Sequence, residues 1–160
     1  MITDDTIVAI STAAGSAARA IVRISGPEAL SAVQDVFESA SGPLRDMGGF
    51  RSVNGIARAR EEGIEVPCRV YLFRAPRSYT RQDVVELHVP GTPIVASAIQ
   101  DALLRRGLRP ADAGEFTARA LLSGRIDLSQ AEAVADIIDA ADAARLRSAA
   151  AVLGGVVHCL

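Results

Sequence analysis

The sequence is poor in the residues that bind metals or form redox centres. Among its 160 residues there are no tryptophans, two histidines and two cysteines. Cys68 and Cys159 lie far apart and lack a Cys-x-x-Cys or Cys/His spacing. Neither His88 nor His158 has the spacing of a metal ligand. We therefore expect no metal site, and two cysteines that remain free thiols.

Long apolar runs are missing as well. No stretch approaches the roughly 20 apolar residues that a membrane-spanning helix requires. Asp4 and Asp5 interrupt the N-terminus before the apolar segment of a signal peptide can form. These absences predict a cytoplasmic protein with no membrane partner.

The motifs of two common enzyme classes are also absent. The chain has no Gly-x-x-x-x-Gly-Lys-Ser/Thr loop, so we expect it neither to bind nor to hydrolyse GTP by itself. No Ser/His/Asp trio can be argued from the sequence, and we assign no catalytic residue. With 17 basic and 19 acidic residues the net charge is −2, which argues against a global electrostatic attraction to nucleic acid.

What is present is the composition of an ordinary globular protein, with 49% hydrophobic and 22% charged residues. β-Branched runs and turn residues predict strands, and apolar residues at helical spacing predict helices. Gly63 lies in the turn of a predicted hairpin, and Ser25 is a candidate cap of the first helix. The predicted strands are 6–11, 20–25, 53–60, 66–73 and 83–89, and the predicted helices begin near residues 28, 94 and 115.

The last part of the chain is predicted to be one long helix. Two capping boxes compete for its start, Asp127 with Gln130 or Ser129 with Glu132. The helix is expected to run towards Gly154, and the chain is expected to continue beyond Leu160. Its predicted apolar face consists of Leu128, Ala131, Val134 and Ile138.

Three charged residues stand where apolar or neutral residues are expected. Arg23 interrupts the strand AIVRIS, Glu86 lies within VVELHV, and Arg125 follows the helix-ending Gly124. Each has a structural explanation: a solvated strand face for Arg23, a salt bridge for Glu86, and bonds to helix-terminal carbonyls for Arg125. Phe116 is most simply a core residue.

The functional alternative is that these three charges converge on one pocket. A carboxylate accepts two parallel N–H bonds from a 2-amino-pyrimidinone edge, and an arginine offers a planar fork to a carboxylate or ring carbonyl. Pterins and guanines present such an edge, and folates add a glutamate tail.

Four segments carry a resemblance to a known family. They are DTIVAI, VRISGPEAL, SYTRQDVVELH and GEFTARALLSGRIDLSQAEAVADIIDA. Together they resemble the N-terminal region of the MnmE/TrmE tRNA-modification GTPases, over residues of about 5 to 148. The last motif is long and specific.

The resemblance implies a fold and a ligand. The fold would be α+β, a mixed β-sheet with flanking helices like the folate-binding domain of glycine-cleavage T protein. Residues 1–122 would form this folate-binding and dimerisation domain, and residues 123–160 would be the first helix of a truncated helical domain. The ligand would be a one-carbon tetrahydrofolate such as 5-formyl-tetrahydrofolate, and the family's folate contacts fall on Arg23, Glu86 and Arg125.

The resemblance also implies partners. The chain would form a homodimer, and the parent protein would act with an MnmG/GidA-like flavoprotein on the wobble uridine of tRNA. The tRNA would be bound through the full complex, not through this chain alone. GTP, magnesium and potassium would belong only to a GTPase domain that is absent here. Glu115 and Arg119, one helical turn apart, are expected to hold the chain's polar turn together.

The chain departs from the family pattern in several loops. The usual Gly-Glu-Asp before the Glu86 strand is replaced by Arg81-Gln82-Asp83, and a usual lysine is replaced by Arg125. Two other functions are therefore kept open: a dimerisation scaffold that has lost its ligand, and a folate-dependent aminomethyltransferase-like protein.

Overall fold

The computed structural model describes residues 4–13 and 15–154. A short 3-10 turn spans Leu44–Asp46. The seven strands are β1 (Ile7–Ile10), β2 (Arg19–Ser25), β3 (Phe37–Ser39), β4 (Arg51–Ala59), β5 (Ile64–Phe73), β6 (Val84–Pro90) and β7 (Arg109–Pro110). The five helices are α1 (Ala29–Val36), α2 (Pro93–Leu104), α3 (Glu115–Leu122), α4 (Leu128–Ile138) and α5 (Ala143–Leu153).

All seven strands join one mixed sheet in the order β3-β4-β5-β6-β2-β1-β7. Neighbouring strands are antiparallel except β1 and β7, which are parallel. The predicted hairpin is confirmed, since β4 and β5 pair along their whole length and Gly63 turns the chain with a φ of 65°. The predicted α+β class is confirmed by this mixed sheet and its five helices.

One face of the sheet forms the main core. Side chains alternate between faces along a strand, and in β2 this places Val22 and its same-face neighbours in the interior. Leu87 of β6 and Val70 of β5 point the same way and are fully buried. Helices α1 and α2 cover this face through residues that include Val33 and Ile99. The opposite face of the sheet is not covered by these two helices.

One expectation about local structure was wrong, and two short strands were missed. Ser25 does not cap α1, because its hydroxyl group bonds to Thr80 and Gln82 instead, and Glu28 precedes the helix without a side-chain cap. The edge strands β3 and β7 were not predicted. Both are too short, at three and two residues, to show a strand pattern in the sequence.

The single long helix expected after residue 127 was also wrong. The chain forms α4 and α5 instead, and α5 folds back so that Ala149 and Leu153 pack against Ala133. The predicted apolar face fails too, because Leu128 and Ile138 are exposed.

At the start of α4, the capping box is the one formed by Asp127 and Gln130. The boundary at residue 122 remains a prediction. Cys159, His158 and the expected continuation beyond Leu160 lie outside the described residues. No helix in the described part of the chain is long and apolar enough to cross a membrane.

Candidate functional site

The site is built on the pairing of β2 with β6. Antiparallel register places Arg23 directly opposite Glu86, on the sheet face that α1 and α2 do not cover. The Nε and Nη2 atoms of Arg23 each lie 2.8 Å from Oε1 of Glu86. The structure thus brings two of the three predicted site residues into contact.

His88 holds the other oxygen of the Glu86 carboxylate. Its Nε2 atom lies 3.0 Å from Oε2, and its ring centroid lies 4.5 Å from that of Tyr71. Tyr71 is in turn the β5 residue directly opposite Glu86. The Glu86 and His88 side chains are 14% and 17% exposed, so the carboxylate is largely desolvated yet still reachable from solvent.

Phe116 from α3 lies over this ion pair. The guanidinium carbon of Arg23 is 5.7 Å from the centroid of the Phe116 ring, within the range of a cation–π contact. Phe116 is half-buried and is outside the main core. Its expected role as a core residue is therefore corrected: it covers one side of the site.

An ion-pair network holds α3 in place. Arg109 of β7 and Arg119 of α3 both donate to Oε1 of Glu115, at 2.6 and 2.9 Å. Both arginines also pair with Asp5, with the Nε of Arg109 2.7 Å from its Oδ2. Glu115 and Arg119 are almost fully buried. The predicted contact between them is confirmed, and the network extends it to β7 and the N-terminus.

The network lowers the pKa of both of its carboxylates. Hydrogen bonds from Arg109 lower the pKa of Glu115 to about 2, against the opposing effect of burial. Burial alone would raise the pKa of Asp5, but hydrogen bonds from Arg109 and Arg119 leave it below its ordinary value. Both carboxylates of the network are therefore held in their ionised forms at neutral pH.

The loop from Arg74 to Asp83 borders the site and has no regular structure, but side chains hold it. The Tyr79 hydroxyl group donates to Thr117 of α3 at 3.2 Å. Arg81 has a φ of 59° and donates from Nη2 to the Gly124 carbonyl at 3.2 Å. The loop is thereby tied to both ends of α3.

Arg125, the third predicted residue, lies in the turn after α3. Its backbone N–H donates to the Ala120 carbonyl at 2.8 Å, and its side chain is half-buried. Within residues 4–13 and 15–154 it forms no ion pair or hydrogen bond with Arg23 or Glu86. No carboxylate in this described part of the chain pairs with its guanidinium group.

Sequence reasoning missed several members of the site. His88 lies two residues after Glu86, so strand alternation already placed it on the same face. Tyr71 depends on the register of β5 against β6, and the pairing of Arg109 with Asp5 spans 104 positions. Such long-range pairings leave no signal in a single sequence.

The fold and this geometry define an α+β domain with a half-buried polar site on the open face of its sheet. The chain belongs to the family described as the N-terminus of the GTP-binding protein TrmE, whose model matches residues 6–125. It is 48% identical to a tRNA modification GTPase MnmE of Alkaliphilus metalliredigens, over 88% of this chain and 31% of that protein.

Other relatives match over a similar extent. A tRNA modification GTPase MnmE of Carboxydothermus hydrogenoformans is 44% identical over 95% of this chain and 33% of its own length. One of Francisella philomiragia is 43% identical over 97% of this chain and 33% of its own length. The chain spans about a third of the length of the curated relatives it matches. The predicted family is confirmed.

Proposed function

We propose that this chain binds a one-carbon tetrahydrofolate, of the 5-formyl-tetrahydrofolate kind, through Glu86, Arg23 and Arg125. The observation that carries the proposal is the Arg23–Glu86 pair on an otherwise open sheet face. An ion pair that served only the fold would not need a location that a planar ligand can reach.

Glu86 is suited to recognise the pterin edge. A carboxylate has about four acceptor positions, and Arg23 and His88 use only part of them. The pterin N–H groups would bind the remaining positions or displace one of these donors. Because Glu86 is 14% exposed, such bonds form where there is little water. A ligand without matching N–H groups would leave the carboxylate unpaired there and would bind more weakly.

Arg125 is suited to the other polar groups of the ligand. Its side chain has no carboxylate partner in the described structure, and it is attached to the turn that Arg81 contacts through Gly124. An arginine offers a planar pair of N–H donors to a carbonyl or carboxylate. Phe116 would then pack against the ligand beside Arg23.

The test is a calorimetric titration of 5-formyl-tetrahydrofolate into the wild-type chain and its variants at fixed salt. Glu86→Ala should cost roughly 2–5 kcal/mol of binding, because it leaves ligand donors and Arg23 unpaired. Glu86→Gln should also weaken binding, since an amide accepts with only one of its two groups. Arg125→Lys should weaken binding much less than Arg125→Ala.

Glu65→Ala is the matched control, because it removes an exposed strand carboxylate that pairs with Arg58, away from the site. It should leave binding unchanged. Failure of the wild type to bind at the highest soluble ligand concentration would discard the pocket and favour the scaffold function. Tight binding that survives Glu86→Ala would keep the ligand and discard these contacts.

We further propose that the chain is the N-terminal part of a GTPase that modifies the wobble uridine of tRNA with a flavoprotein partner of the MnmG/GidA kind. The support is the family membership and the relatives named tRNA modification GTPase. GTP, magnesium and potassium would be bound by the two thirds of those relatives that this chain does not match.

The chain is also proposed to form a homodimer, on the same family relationship. Sedimentation velocity should show a dimer at concentrations on the order of tens of micromolar, a range suited to an interface of moderate size. A species that remains monomeric throughout that range would contradict the proposal.

A further inference from the structure

A shallow groove of about 380 Å³ opens on the sheet beside the Glu86 site. Its lining includes His88, the residue that contacts Glu86, together with the start of β2, the end of β6 and adjoining residues of β4 and β5. Its polar lining consists of Arg19, Asn54, Arg69 and His88, and no acidic residue lines it. The groove therefore adjoins the Glu86 site through His88. Unlike that site, it contains arginines but no carboxylate.

Strand register gives the spacing of the two arginines from Glu86. Arg69 is directly opposite His88, and Arg19 is directly opposite Pro90. At about 3.3 Å per residue, these positions lie roughly 7 and 13 Å along the strand from Glu86, on the same face. A ligand that anchors its ring at Glu86 and extends along β6 would meet Arg69 first and Arg19 second.

Among the described residues, both arginines lack the acidic partners that other arginines of this chain have. Arg58 pairs with two glutamates and Arg105 with two more. By contrast, the one side-chain bond of Arg69 within the described ranges is to the neutral side chain of Asn54, at 2.9 Å. Arg19 forms no ion pair or side-chain hydrogen bond within the described ranges. The groove thus presents two guanidinium groups whose capacity to bind a carboxylate is unused.

We propose that this groove is the subsite for the acidic tail of the ligand, with Arg69 and Arg19 binding glutamyl carboxylates. The inference rests on the proposed folate function and extends it to a preference for the tailed form. A pterin joined through an aminobenzoyl group to glutamate is elongated, with its carboxylates at the end far from the ring edge. Arginine matches a carboxylate with two parallel N–H bonds.

The test compares two ligands, 5-formyl-tetrahydrofolate and a 5-formyl-tetrahydropterin that lacks the aminobenzoyl-glutamate. The wild type should bind the tailed ligand at least about 10-fold more tightly, given the usual strength of hydrogen bonds between charged groups. In the double variant Arg19→Ala/Arg69→Ala this preference should disappear, whereas the dissociation constant of the tail-free ligand should not change. The tail preference should also fall as salt rises.

Arg60→Ala is the matched control, because Arg60 is an exposed arginine on the β4–β5 turn, outside the groove. It should leave both dissociation constants unchanged. Thermal unfolding of the double variant checks that the fold is intact. A tail preference that survives in a folded double variant would overturn the groove proposal alone. If the wild type bound neither ligand, the folate function and the groove proposal would both fall.

Discussion

Arg81 occupies a backbone conformation that residues with a side chain rarely adopt. Its φ of 59° lies in the left-handed region, which costs an L-residue roughly 1–2 kcal/mol. The family resemblance implies glycine at this position, and glycine adopts that conformation freely. The chain tolerates arginine because the loop around it is fixed by Ser78, Thr80 and Gln82 and because Arg81 itself bonds to Gly124.

The first prediction concerns this strain. Arg81→Gly relieves it and loses one exposed hydrogen bond, so the free energy of unfolding should change by less than about 1 kcal/mol. Arg81→Val places a β-branched side chain at the same φ and should destabilise the fold by roughly 1–2 kcal/mol. Urea denaturation of both variants measures the difference. Equal stabilities of the glycine and valine variants would show that the φ carries no strain in solution.

At the residue scale, the sequence was informative about chemistry and less so about contacts. A carboxylate inside VVELHV needs a partner, and strand alternation placed it on one face with His88. The sequence analysis brought Arg23 and Glu86 to one pocket as a functional alternative, but their direct contact depends on the pairing of β2 with β6. For Arg125 the contact with ligand remains a prediction.

At the element scale, strands and helices with a long periodic pattern were predictable, and short or interrupted ones were not. The break between α4 and α5 falls in residues 139–142, which contain neither glycine nor proline. The signal there is Asp142, whose carboxylate accepts from the N–H groups of Ala144 and Arg145 and so caps α5. An aspartate within an apparent helix resembles an ordinary surface residue until the turn is known.

The second prediction concerns the start of α4. Asp127 accepts from the Gln130 N–H at 2.8 Å, and the Gln130 side chain accepts from the Asp127 N–H at 3.0 Å. Asp127→Ala should therefore destabilise α4 by roughly 1 kcal/mol. Ser129→Ala, two residues on, should have no such effect, since alanine is the better helix former. Circular dichroism on heating compares the two, and a larger effect at Ser129 would point to the other capping box.

At the scale of the whole molecule, an ion-pair network joins Asp5, near the N-terminus, to Arg109 of β7 and to Glu115 and Arg119 of α3. Its charged groups stabilise the fold only while they are paired. Removing one partner would leave buried charges uncompensated, which is a large cost. The stability of the domain should therefore depend on the ionisation of its two acids.

The third prediction is the resulting pH dependence. The pKa of Glu115 is about 2 in the folded chain and near its ordinary value of 4.5 when unfolded. Its ionised form therefore contributes stability that is complete above about pH 4.5 and is lost as the pH falls towards 2. The loss from Glu115 should be roughly 2–3 kcal/mol, and the lowered pKa of Asp5 adds to it in the same direction.

Chemical denaturation between pH 2 and 7 tests this dependence. Glu115→Gln should be less stable than the wild type at pH 7. Its free energy of unfolding should also fall less steeply below pH 4.5. Glu65→Gln, at an exposed strand carboxylate, should leave the slope unchanged. An unaltered slope in Glu115→Gln would mean that other carboxylates govern acid unfolding.

The same network has a consequence for how the protein is made. Arg119 contacts Asp5 across 114 positions, and β1 lies between β2 and the much later β7. A ribosome adding 5–20 residues per second would therefore extend the chain for roughly 6–23 s after Asp5 before its partner is synthesised. Throughout that interval β1 has one free edge, and Asp5 remains unpaired with Arg119. The domain can close only after α3 has left the ribosome, so translation of this segment sets the earliest moment at which a nascent chain can become native.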